Sequence, residues 1–148
     1  MNVGALLAVL PAGTAGAEVF VAGPGDDIDG IEALVNGLQP GDELVLAGGT
    51  YTLEARFSFS IAGTVDAPIV IRSAEGEVAH LHRPNADQNI IDVDYAEHVV
   101  IRGVELSGGS AGIRISGAKS FTIEDCEVHD TNDVAIRAND SGVTYEAL

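Results

Sequence analysis

From Asp42 onward the chain alternates apolar and polar residues in short runs, the period-two pattern of strands with one buried face. The runs are 43–47, 57–61, 68–72, 78–81, 90–94, 98–102, 104–107, 112–116, 121–124, 126–129 and 134–138. A further strand-length run, 18–22, precedes the breaker Gly23-Pro24-Gly25. Ile28, Ile31, Leu34, Val35 and Leu38 then recur at helical spacing. Asp26 or Asp27 is placed to cap that helix, and Gly37, Pro40 and Gly41 to end it.

The runs repeat. Residues 100–107 shifted by 22 fall on 122–129, which brings Ile101 onto Ile123, Val104 onto Cys126 and Leu106 onto Val128. Residues 112–115 fall on 135–138 at a shift of 23, and 90–93 lie 22 before them. Residues 68–72 match 98–102 at 30, a coil with about eight extra residues. Three short strands per period in the low twenties specify a solenoid. Leucine-rich repeats need a Leu-x-x-Leu-x-Leu frame and an Asn ladder, and neither is present. Helical repeats are excluded by the period of two. The expected fold is all-β, a parallel β-helix of about 22 residues per coil with a short N-terminal capping α-helix. Each coil places a layer of aliphatic side chains inside, which over 100–116 is Ile101, Val104, Leu106, Ile113 and Ile115. Cys126 replaces Val104 in the stack and reads as core. The helix is placed to cover the first layer, as terminal caps do in solenoids.

Residues 1–17 read as a secretory signal peptide, with an apolar stretch at Val3–Leu10 and a small-x-small pattern at Ala15-Gly16-Ala17, although no basic residue precedes it. Residues 18–41 form the strand and cap helix, and 42–148 the coils. Val143-Thr144-Tyr145 opens a new coil, so the stack is expected to be truncated at the C-terminus. The chain then reads as the N-terminal fragment of a longer, monomeric protein that is secreted or periplasmic.

The composition narrows the partners. The chain is 46% hydrophobic but only 5% aromatic, so Val, Ile, Leu and Ala must build the core. Its net charge of −16, from 23 acidic and seven basic residues, argues against nucleic acid, whose binding relies on Lys and Arg at phosphates. An anionic membrane surface is disfavoured for the same reason. No run approaches the length of a membrane span. The acidity suits either a solvated surface or Ca²⁺ held by carboxylates. A single cysteine excludes an internal disulfide and Cys-based zinc sites.

Several outward positions could carry chemistry. Glu105 and Glu127 stack in consecutive coils, roughly 4.8 Å apart, and either splay into solvent or share a Ca²⁺ ion. Arg114 and Arg137 form a second ladder, able to contact sugar carboxylates or to pair with nearby acids. Arg102 over Glu124 reads as structural. His129-Asp130 begins a polar turn, either an acid–base pair or a turn made for backbone reasons. The expanded loop over 79–89 holds His80, His82, Arg83 and Asp87 and could wall a binding groove; His82 and Arg83 are its substrate-binding candidates, and His80 with His82 a metal pair.

Pro40-Gly41-Asp42-Glu43-Leu44-Val45-Leu46-Ala47-Gly48-Gly49-Thr50-Tyr51, followed by Ser60–Ser73, resembles the opening coils of the chondroitinase-B and alginate-lyase family within the pectate-lyase-like superfamily. The resemblance covers about residues 28–107 and implies a right-handed β-helix. It also implies a polysaccharide partner and β-elimination on a uronic-acid glycan, with a Lys base, an assisting Arg and Ca²⁺ held by Asn and Glu. Mannuronan C5-epimerases open in a similar way, and half of their Asp-Pro-His-Asp motif is matched by His129-Asp130. Lys119 has no such partners around it in sequence, so no catalytic residue carries over by position and the fragment itself is expected to be inactive. The alternative is a non-catalytic β-helix for carbohydrate binding or surface adhesion.

Overall fold

The computed structural model describes residues 10–11 and 16–139. They form a parallel β-solenoid of about five turns with about 24 residues per turn and one short helix. The chain enters through β1 (Leu10–Pro11), which pairs antiparallel with β2 (Glu18–Ala22), and then forms α1 (Ile28–Asn36). Four complete coils follow: β3 (Glu43–Leu46), β4 (Gly49–Thr52) and β5 (Phe57–Phe59); β6 (Ile69–Ser73), β7 (Ala79–Arg83) and β8 (Ile91–Asp94); β9 (Glu97–Arg102), β10 (Val104–Gly108) and β11 (Ala111–Ser116); β12 (Lys119–Glu124), β13 (Glu127–His129) and β14 (Val134–Ala138). Stacking places β1-β2-β3-β6-β9-β12 in a first sheet, β4-β7-β10-β13 in a second and β5-β8-β11-β14 in a third. Every pairing other than β1 with β2 is parallel.

The register follows the sequence repeat. Ile101 lies over Ile123, Ile113 over Ile136 and Leu106 over Val128. The coil with eight extra residues is also present, since Ile71 pairs with Ile101. Twenty-two residues is the shortest turn, and the earlier coils are longer: Leu44 pairs with Ile71 and Phe57 with Ile91. The added residues sit at corners, so the strands keep their phase. Positive-φ positions, at the corners and in the strand ends beside them, repeat as well. Positive φ occurs at Tyr95 and Gly117, at His98 and Ser120, at Gly103 and Asp125, and at Gly108 and Asp130, each pair one 22-residue turn apart.

Inside, the aliphatic layers are buried from Leu44 to Ile115. At the N-terminal end α1 covers the first layer with Ile31 and Val35, both buried. Asp27 caps the helix by accepting the Gly30 amide, and Gly37 closes it, as expected. The helix also addresses the edge of β5. Glu32 accepts the Ser58 amide, while the Asn36 amide donates to the Ser58 carbonyl and its oxygen accepts the Ser60 amide. Two side chains one helical turn apart thus satisfy groups that an open edge would leave to another strand.

Three elements depart from the sequence reading. The expanded loop over 79–89 is strand β7 as far as Arg83, so His80 and His82 stand on a sheet and the loop begins at Pro84. Gly48-Gly49 looks like a break, yet Gly49–Thr52 is a strand of the second sheet. Lys119, outside the 121–124 run read from the sequence, begins β12 and lies 3.0 Å from Glu97 across the coil step. The proposed signal segment 1–17 and the final coil opening at 143 fall largely or wholly outside the described residues; within the former, Leu10–Pro11 pairs with β2.

Candidate functional site

The alternation that points aliphatic residues inward presents polar ones outward in straight columns. On the second sheet one column runs Thr50, His80, Glu105, Glu127, and the adjacent one Thr52, His82, Ser107, His129. The Ser107 hydroxyl lies 2.7 Å from His80 Nε2 and 2.9 Å from His82 Nδ1, bridging two imidazoles on the neighbouring coil. His129 leans diagonally out of its column. Its Nε2 is 2.7 Å from Glu105 Oε1, and its Nδ1 is 2.8 Å from Asp130 Oδ2. Hydrogen bonding to Glu105, and then to Asp130, raises the His129 pKa above the ordinary imidazole value. His80 Nε2 approaches the same Glu105 oxygen at 3.7 Å, and its ring stacks on that of His129 with centroids 6.1 Å apart. Sequence spacing separates these candidates into a His pair, a Glu ladder and a polar turn. The structure joins them into one patch, with Ser107 as an added member that no motif marks.

On the third sheet the outward column is Ser58, Asp92, Arg114, Arg137. Asp92 is buried, takes a hydrogen bond from Asn89 at 2.8 Å and pairs with Arg56 at 3.0 Å. Arg114 lies 3.4 Å from Asp94 and 4.0 Å from Asp92. Arg137 pairs with Asp133, four residues earlier in the chain. Both arginines are therefore oriented by carboxylates of this chain while remaining partly open to solvent. Arg83, grouped with them as a sugar contact, is 1% exposed and points inward. Its guanidinium donates to Gln88 Oε1 at 2.6 Å and to the Leu53 carbonyl at 3.4 Å, and its Nε has no partner. Burial, reinforced by Arg56, lowers its pKa. In this position Arg83 is an internal strut beyond the reach of a surface-bound glycan.

Arg102 pairs with Glu124 across one coil step, in the structural role expected of it. Cys126 packs against the core, and burial raises its thiol pKa. Glu105 and Glu127 occupy one column as expected. The oxygens around them do not suit calcium, which takes six to eight oxygen ligands. Among the described residues, the group of three or more His, Cys, Asp and Glu side chains close enough to share an ion is His80, Glu105 and His129, with one carboxylate and two imidazoles. Glu127 is not part of it.

A parallel solenoid of these coils, with a helix over its first layer, is a right-handed parallel β-helix. A pectate lyase from Emericella nidulans is 27% identical to this chain over 66% of the chain and 29% of its own length. An alginate lyase from Paenibacillus sp. str. FPU-7 superimposes with a TM-score of 0.67 at 22% identity, over 81% of this chain and 43% of that structure. A mannuronic acid specific polysaccharide family 6 lyase from human gut microbiota gives 0.61 at 22% identity, over 73% of this chain and 26% of that structure. Pectate lyase Pel9A gives 0.52 at 12% identity, over 85% and 56%. No family model matches the chain. The chain spans about 29% of the length of the curated relative it matches.

Proposed function

We propose that this chain is a segment of an extracellular or periplasmic polysaccharide lyase that acts by β-elimination on a uronic-acid glycan. The observation that carries the reading is the pectate lyase relative, supported by three solved polysaccharide lyases on the same coil architecture. The Arg114–Arg137 column adds chemical sense, because a guanidinium fork suits the carboxylate of a uronic acid and both groups are already oriented. In the reaction a base removes the C5 proton, the bond from C4 to the departing glycosidic oxygen breaks, and a C4–C5 double bond remains. Among the described residues the Glu105–Glu127 ladder does not gather the set of oxygen ligands that calcium takes.

The test is ultraviolet absorbance of the unsaturated product on polygalacturonate, alginate and chondroitin, using the whole protein. New absorbance on one uronic-acid polymer supports the lyase reading. Inverted C5 configuration by proton NMR without new absorbance makes the parent a C5-epimerase. A second reading, a non-catalytic carbohydrate-binding or adhesive β-helix, draws on the in-chain pairing of Arg114 and Arg137. Tight glycan binding with neither reaction would establish it, and absence of both reaction and binding overturns both readings.

A further inference from the structure

Three of the chain's four histidines stand on the outward face of the second sheet. Neither the strand ladder nor a glycan-facing arginine column accounts for them. His80, Glu105 and His129 come from β7, β10 and β13, one from each of three consecutive coils. One ligand atom of each lies within 4.8 Å of the other two.

We infer that His80, Glu105 and His129 form a binding site for a divalent transition ion of the zinc type, which staples three successive coils together. The donor set decides the class of ion, because imidazole nitrogen with one carboxylate suits zinc and its neighbours, whereas calcium and magnesium demand oxygen. Zinc binds histidine nitrogen at about 2.0–2.1 Å and carboxylate oxygen at about 2.0–2.2 Å, which sets tetrahedral ligand atoms about 3.4 Å apart. The 2.7 Å His129–Glu105 contact and the 3.7 Å His80–Glu105 contact bracket that separation, so small side-chain rotations open the site.

The surroundings are arranged as a metal site requires. Metal-bound histidines pass their other ring nitrogen to a carboxylate or carbonyl, which fixes the ring and its tautomer. Asp130 does this for His129, holding Nδ1 and turning Nε2 toward Glu105. Ser107 contacts His80 Nε2 and also His82 Nδ1. When the ion takes His80 Nε2, Ser107 keeps its contact with His82. The three ligand side chains remain 25%, 29% and 35% exposed, so an ion can enter from solvent and its fourth position is open to water.

The experiment uses the untagged full chain after treatment with a chelator, titrated with Zn²⁺ alone by calorimetry and followed by thermal melting and imidazole ¹⁵N NMR. One ion per chain should bind, the melting midpoint should climb until the site saturates, and Ca²⁺ at equal concentration should leave it unmoved. Ring nitrogen signals of His80 and His129 should shift while those of His98 stay in place. His80→Gln, Glu105→Gln and His129→Gln should each weaken binding at least tenfold, and Asp130→Asn roughly tenfold through the ring it orients. Glu127→Gln should keep the wild-type affinity. Zinc that fails to bind saturably overturns the proposal. So does binding that leaves the His80 and His129 ring signals unmoved in the wild-type protein, a readout that needs no variant to fold. None of these measurements depends on turnover, so the site stands or falls apart from the lyase reading.

Discussion

Tyr51 shows how much one buried phenol can hold. Its ring lies inside the first coil, and its hydroxyl donates to the Ala47 carbonyl at 2.7 Å, with the Ala22 carbonyl 3.2 Å away. Burial, followed by the nearby charges of Asp26 and Glu77, pushes its pKa up to about 12. Because the unfolded phenol titrates near 10, the folded chain keeps this proton longer. The stabilisation is complete below about pH 10 and is lost as pH rises toward about 12. Tyrosinate absorbance should show a late-ionising phenol that is absent in Tyr51→Phe, a change that should also cost roughly 1 kcal/mol in urea denaturation. Gly108 is a stricter position. A Cβ there would lie 2.1 Å from the Arg83 carbonyl oxygen, at φ 77°. Gly108→Ala should lower the urea midpoint by an amount equivalent to about 3 kcal/mol. Asp130 holds a similar backbone angle one turn later, so the facing carbonyl, and not the angle alone, makes Gly108 demanding. Residue identity exposes the inward layer because burial demands apolar side chains. It does not expose the His80–Glu105–His129 contact. Spacing correctly sets Glu105 over Glu127, but His129 reaches sideways across columns, and a repeat offset carries no information about that diagonal.

At the level of elements, α1 acts as both lid and edge guard. Its apolar spacing and its Asp27 and Gly37 ends are visible in sequence because helix periodicity and capping are local. Its hold on β5 is not, since Glu32 and Asn36 look like an ordinary polar face until the neighbouring strand is known. Asn36→Ala should cost about 1–2 kcal/mol by removing its two links to the edge. Hydrogen exchange should then quicken at the Ser60 amide, with the Ser58 amide still held by Glu32. The strand β4 escaped the sequence reading for a related reason. Gly48-Gly49 has the composition of a turn, but a Cβ on Gly49 would come within 2.9 Å of Pro24, so the glycine marks a close approach between segments.

For the whole molecule, the repeat makes the architecture legible because each coil must bury the same layer in the same phase. The average turn is longer than the 22-residue interval that the repeat displays, since insertions hide the match between early coils. Charge also acts at this scale. With a net charge of −16 the folded chain repels itself, and screening shortens the reach of that repulsion from about 30 Å at 0.01 M salt to about 8 Å at 0.15 M. The melting temperature should therefore rise over that range of sodium chloride, and a flat response would show that the carboxylates outside pairs such as Arg56–Asp92 and Lys119–Glu97 stand too far apart to destabilise the fold. The 22-residue recurrence of positive-φ corners has one more consequence. A segment cut at matching corners is a self-contained module, so duplicating residues 97–118 or deleting them would lengthen or shorten the rod by one storey without resetting any neighbour. Such a molecule can change in reach by gene duplication while its floor plan stays the same.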